Sequence, residues 1–171
     1  MDTTTFYAAA AGLFFTLLGF WWVVVQFRHA ELTRDAASRR FMFLVSMHFM
    51  LPGLVSLASL LATGPLWRVA FGLAGLTGIA AAVAGTRAAG STSGPLAGLR
   101  RIAWVGIPIY TVITAVALAP DVVRSRLGLE PLQVEGMLLL VILLVGILLA
   151  WAVFTGPSSS DVEEAEDRGV G

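Results

Sequence analysis

The chain has 171 residues, 57% hydrophobic and 13% charged, with eleven Arg, no Lys and a formal net charge of zero. Soluble domains carry about 45–50% apolar and about 25% charged residues, and the apolar residues here fall in runs of the roughly 20 that span a bilayer core. That balance excludes a soluble domain and any nucleic-acid partner, and the lack of Cys excludes disulfides, thiolate metal sites and cysteine nucleophiles.

The first run is expected to be an uncleaved span. MDTTTFYAAAAGLFF carries Asp2 and no basic n-region, and apolar residues continue to Phe27, too far for a signal-peptide core. Five spans follow from the runs, at 6–27, 41–63, 67–85, 102–119 and 134–155. Eight Arg (28, 34, 39, 40, 87, 100, 101 and 168) fall on one side of this arrangement and three (68, 124 and 126) on the other. The positive-inside rule then puts the N-terminus outside and the C-terminus in the cytoplasm. The fold class is an all-α integral membrane protein, a bundle of five transmembrane helices in a cell membrane, of the prokaryotic plasma type. Residues 1–156 form the membrane domain. Residues 157–171, with five acids and three serines, read as a disordered acidic tail.

Along the first span, Ala8, Gly12, Thr16 and Gly19 recur at helical spacing, a face of small residues that another helix can approach closely. Trp21 and Trp22 sit toward its inner end as packing or lipid-facing groups. The connection from Arg28 to Arg40 has no Gly or Pro, and Asp35–Arg39 and Glu31–Arg34 have the spacing of helix-supporting pairs. It reads as a solvated, headgroup-facing turn.

The second span is expected to break at Pro52-Gly53. Proline has no N–H for the carbonyl four residues back, here that of His48, so an imidazole and a freed acceptor share one turn. The third span repeats Gly72, Gly75, Gly78, Ala82 and Gly85 every three or four positions. That close-packing face makes the third helix the expected centre of the bundle. TRAAGSTSGPLAG, from Thr86 to Gly98, reads as a flexible linker and lacks the pattern of a phosphate-binding loop. The fourth span has its own kink residue, Pro108, which frees the carbonyl of Trp104. A short interfacial helix from Asp121 to Leu127, stopped by Gly128, is expected next. The fifth span is nearly all large aliphatics and is expected to face lipid. Arg-Arg pairs open both Pro-containing spans, which charge placement alone also produces.

Ionisable side chains inside spans are costly and are candidate functional groups. His48 lies eight residues from Arg40, about 12 Å deep; Tyr110 and Thr77 fall at about 13 and about 15 Å by the same helical rise. His48, Thr77 and Tyr110 are therefore the candidate intramembrane polar layer. His29 lies near the interface and cannot oppose His48 as a haem ligand. Met47 and Met50 share a face, but no other soft ligand joins them to support copper. No metal site, catalytic residue or cofactor is expected, since neither H-E-x-x-H nor G-x-S-x-G occurs. The expected function is that of a non-enzymatic structural or accessory membrane subunit acting through helix packing. The alternative is a small oligomeric channel or carrier with the His48 layer on its path. The expected partners are the lipid bilayer and either copies of itself or a larger membrane complex.

Overall fold

The computed structural model describes residues 2–29, 36–61, 64–88 and 96–154. The two ion pairs expected in the first connection, most of the Gly/Ser linker and the acidic tail lie outside the described residues. Six helices form the described part: α1 (Thr3–Phe27), α2 (Ala36–Leu61), α3 (Leu66–Ala88), α4 (Leu96–Leu118), α5 (Pro120–Leu127) and α6 (Pro131–Phe154). Four of them, α1, α2, α3 and α6, are long and apolar enough to cross a membrane. A fifth candidate is the pair α4–α5, which bends by 95° at Ala119.

The ends of these helices have local causes. Asp2 caps α1, its carboxylate accepting the Thr5 N–H at 2.6 Å. Burying no surface itself, this carboxylate is held below the ordinary aspartate value by that bond. Gly64, with φ of +63°, makes the turn into Pro65 and α3. Gly128, at φ +64°, ends α5 in the left-handed conformation, its N–H donating to Arg124 O. Helices α2, α3 and α4 each run several residues beyond their apolar stretches, so Thr86–Ala88 and Leu96–Gly98 are helical rather than loop.

Neither Pro52 nor Pro108 ends its helix, and the expected break at Pro52-Gly53 does not occur. Proline removes one hydrogen bond, and the neighbouring turns continue on either side. Gly53 lies tight against α1, with a Cβ position 3.1 Å from the Phe15 ring. Pro108 and Trp104, whose carbonyl it frees, lie on the outer surface.

The helices alternate in direction. Trp21 on α1 meets Ser46 on α2, and Arg68 at the start of α3 meets Ala117 and Leu118 at the end of α4. Helices α1 and α6 run parallel: Tyr7 meets Leu132 at one end, and Arg28 meets Val153 and Phe154 at the other. Arg28 and Arg68 each donate to the last carbonyls of a neighbouring helix, acceptors with no partner inside that helix. Arg28, Arg39, Arg40 and Arg87 mark one end of the bundle, and Arg68, Arg124 and Arg126 mark the other.

The centre is α2, not α3. Two thirds of the α2 apolar stretch (67%) is buried, against 22% for α3, 28% for α1 and 33% for α6. The small residues of α3 do bring one neighbour close, since α3–α4 is the most extensively packed pair, but the opposite face of α3 stays open. The core joins Tyr7, Phe14 and Trp21 to Val45, Phe49, Phe71, Ile113 and the α6 stripe Leu139, Ile142 and Leu149. Large apolar groups cover the outside as well, among them Phe20, Leu73, Leu144 and Trp151.

Candidate functional site

Helix α2 carries its polar side chains inward. Ser46, His48 and Ser56 are all buried, which a helix surrounded by others in apolar surroundings requires. Ser46 is satisfied: it accepts from Trp21 Nε1 at 3.1 Å and donates to Met42 O at 3.0 Å. Trp21 is thereby fixed in the α1–α2 seam, while Trp22 points outward, 53% exposed.

His48 is 1% exposed. Its Nδ1 lies 2.9 Å from Leu44 O. A carbonyl oxygen only accepts, so Nδ1 carries the hydrogen, and in the neutral ring Nε2 is a lone pair. Nε2 has no partner and faces Gly106 on α4, 3.3 Å from where a Cβ would sit. On the other side, His48 Cβ lies 3.3 Å from the corresponding position at Gly146 of α6. Glycine on both flanks is what lets an imidazole fit between α4 and α6.

Tyr110 stands beside His48, the ring centroids 5.8 Å apart and edge-on. Its hydroxyl is buried and unpartnered. Gly78 of α3 supplies the floor, since a Cβ there would fall 2.5 Å from two Tyr110 ring carbons. A donor (Tyr110 Oη) and an acceptor (His48 Nε2) thus share one layer without bonding each other. Below them a void of about 10 Å³, bounded by Pro52, Val55, Phe71, Tyr110, Leu139 and Ile142 among others, joins α2, α3, α4 and α6. Such a space holds at most about one water.

The structure therefore brings His48 and Tyr110 together and leaves Thr77 out. Thr77 is exposed on the outer face of α3, its hydroxyl donating to Leu73 O of its own helix at 2.8 Å. Of the expected packing face, Gly72, Gly75, Gly78 and Ala82 are buried, and Gly85 lies in the last turns of α3. Gly75 lies against Thr114, and Gly72 has nothing within 4 Å of a Cβ. Met47 is buried beside this layer. Among the described residues no three His, Asp or Glu gather where a metal ion would sit.

Two further buried polar residues are unpartnered and lie outside the expected layer. Ser56, eight residues from His48, has an unpartnered hydroxyl. Glu135 on α6 is 0% exposed, and neither carboxylate oxygen has a hydrogen-bond partner. It lies one residue inside the expected fifth span, beside the boundary at 134. The signal that finds it is register: Glu135, Leu139, Ile142, Gly146 and Leu149 form one helical stripe, and all five are buried.

These features define a bundle of long apolar helices with a closed interior that holds several unpartnered polar groups. No family model, no curated protein and no solved structure matches the chain.

Proposed function

We propose that the chain is an integral membrane protein of five spans, with its N-terminus outside and its C-terminus in the cytoplasm of a prokaryotic plasma membrane. Its helices are apolar on outer as well as inner faces, as lipid-embedded helices are. The arginine count, eight against three, supports the orientation. The chain has no Cys, so introduced cysteines report topology without background. Ser125→Cys should react with an impermeant maleimide on intact cells, and Ala36→Cys only after permeabilisation. The reverse pattern refutes the orientation.

Within that frame the protein acts as a non-enzymatic accessory subunit that docks a helix of another membrane chain. The observation carrying this reading is on α1: Ala8, Gly12, Thr16 and Gly19 all point outward, and nothing lies within 4 Å of a Cβ at Gly12 or Gly19. In lipid, close approach of backbones over small residues is a main source of helix association, and this face has none of the neighbours it is shaped for. Purification in mild detergent should yield a species heavier than one chain, reduced to the single chain by Gly12→Leu with Gly19→Leu. A wild-type monomer with no second chain refutes the reading.

The unpartnered His48 and Tyr110 support a second reading, an oligomeric channel or carrier using their layer. Proton and monovalent-cation flux into liposomes would then fall in His48→Ala. Equal flux in wild type and variant, or none in either, removes it.

A further inference from the structure

We propose that Glu135 is a proton-binding site inside the bundle, a carboxylic acid that carries its proton in the resting protein. The geometry of the α6 seam supports this independently of whether the protein is a subunit or a carrier. The residue is fully buried on the face of α6 that packs on α2, and both oxygens lack donors. An ionised carboxylate offers about four acceptor sites, and leaving all of them empty away from water is strongly unfavourable. One proton removes that cost.

The groups facing Glu135 from each packed element point the same way. From α1 comes Tyr7, 1% exposed and within electrostatic reach. Its one hydroxyl hydrogen is committed to Leu132 O at 2.7 Å, so toward Glu135 it presents only lone pairs. A protonated acid can donate to such an oxygen, whereas an ionised one meets no donor there.

On α2 the unpartnered group nearest in depth is Ser56. Gly146 packs on His48, and α2 and α6 run antiparallel, so helical rise puts Ser56 about 12 Å and Glu135 about 16 Å from that layer. The two unpartnered groups are therefore within about 5 Å in depth on facing helices. His48 on α2 and Tyr110 on α4 are the next titratable groups inward. From α5, Asp121, Arg124 and Arg126 are exposed, and Arg124 is paired with Asp121 and with Glu130 at the head of α6. Arg68 of α3 is engaged by α4 carbonyls. No cation described in the structure is paired with Glu135.

The ligand is a proton rather than a larger cation. Glu135 belongs to no group of three or more His, Asp or Glu that could hold a metal ion among the described residues. The void beyond Leu139 and Ile142 has about 10 Å³, too little for an organic amine. Glu135 and the His48–Tyr110 pair are thus two separate stations, closed from each other in this conformation.

The experiment is infrared spectroscopy of the full chain in phosphatidylcholine vesicles near pH 7. The expected result is a protonated-carboxyl C=O band in the wild type, shifted in heavy water and lost in Glu135→Gln. No such band in the wild type overturns the proposal, as does a band that survives Glu135→Gln. Should the variant not fold, wild type treated with dicyclohexylcarbodiimide locates the acid. The carboxyl O–H adds across one C=N bond, oxygen to the central carbon and hydrogen to nitrogen, and the acyl group then migrates to nitrogen with nothing expelled. An N-acylurea on Glu135 supports the proposal, and one only on other acids overturns it. Failure of the accessory-subunit reading would appear as a lone monomer and leave the band unchanged.

Discussion

Gly78 and Gly72 both belong to the small-residue stripe of α3, six residues apart, yet they should respond oppositely to alanine. A Cβ at Gly78 would lie 2.5 Å from Tyr110 ring carbons, where 3.4–4 Å is ordinary contact, so about 1 Å of movement is required. The ring cannot retreat freely, because His48 stands 5.8 Å away on its edge, and separating α3 from α4 loosens the most extensively packed pair in the bundle. Gly72 has open space at the same position. Both substitutions gain the same helix propensity, up to about 1 kcal/mol, so their difference isolates the overlap, about 1–3 kcal/mol. Thermal unfolding in detergent, followed by tryptophan fluorescence, should show Gly72→Ala at or above wild type. Gly78→Ala should lie below Gly72→Ala, at about 2–4 °C per kcal/mol for a chain of this size. Tyr110→Ala in the Gly78→Ala background should recover at least about 1 kcal/mol relative to additivity. Equal midpoints for the two glycine variants, or a strictly additive double variant, refute the packing account.

Trp21→Phe keeps the ring buried and removes the donor to Ser46, so it should cost about 0.5–1.5 kcal/mol. Ser46→Ala should cost little more in that background, as a double-mutant cycle would show. Arg28→Gln withdraws the donors from Val153 O and Phe154 O, and amide exchange should rise in the last turn of α6 while the centre of α2 is unchanged. For Asp2, a carboxyl held low in the folded chain stabilises α1 above the unfolded value of 3.8, and the effect is lost as pH falls through the folded value. Asp2→Ala should therefore speed exchange of the Thr5 N–H at neutral pH, and the difference from wild type should vanish in acid.

The spans were legible because length and apolarity are properties of a segment by itself, and each observed long helix contains one apolar run. Which helix sits at the centre depends on how many faces are covered. The small-residue stripe of α3 reports one close neighbour and nothing about the other side. The better signal was in α2, whose apolar stretch is interrupted by Ser46, His48 and Ser56. In apolar surroundings those side chains must turn inward, and a helix that carries them on several sides needs neighbours on several sides. For α1 the stripe at Ala8, Gly12, Thr16 and Gly19 was legible in the spacing, but among the described residues nothing lies within 4 Å of a Cβ at Gly12 or Gly19.

The candidate layer shows the same division between depth and direction. Counting residues from the helix ends gave His48, Tyr110 and Thr77 nearly equal depths, and for His48 and Tyr110 the rings do meet. Thr77 fails by one residue: its neighbour Gly78 is the one under Tyr110, and a step of one residue turns a side chain by about 100° around the axis. Glu135 was lost for the converse reason, its depth near a span boundary outweighing its place on the buried stripe of α6. A threonine turned the wrong way satisfies itself on its own backbone, as Thr77 does with Leu73 O, and so leaves no energetic trace of the error. A buried carboxyl has no such escape. Azimuth therefore decides which polar residues in these helices require a chemical explanation, and among the described residues Glu135, His48, Tyr110 and Ser56 are the ones whose direction leaves them needing one.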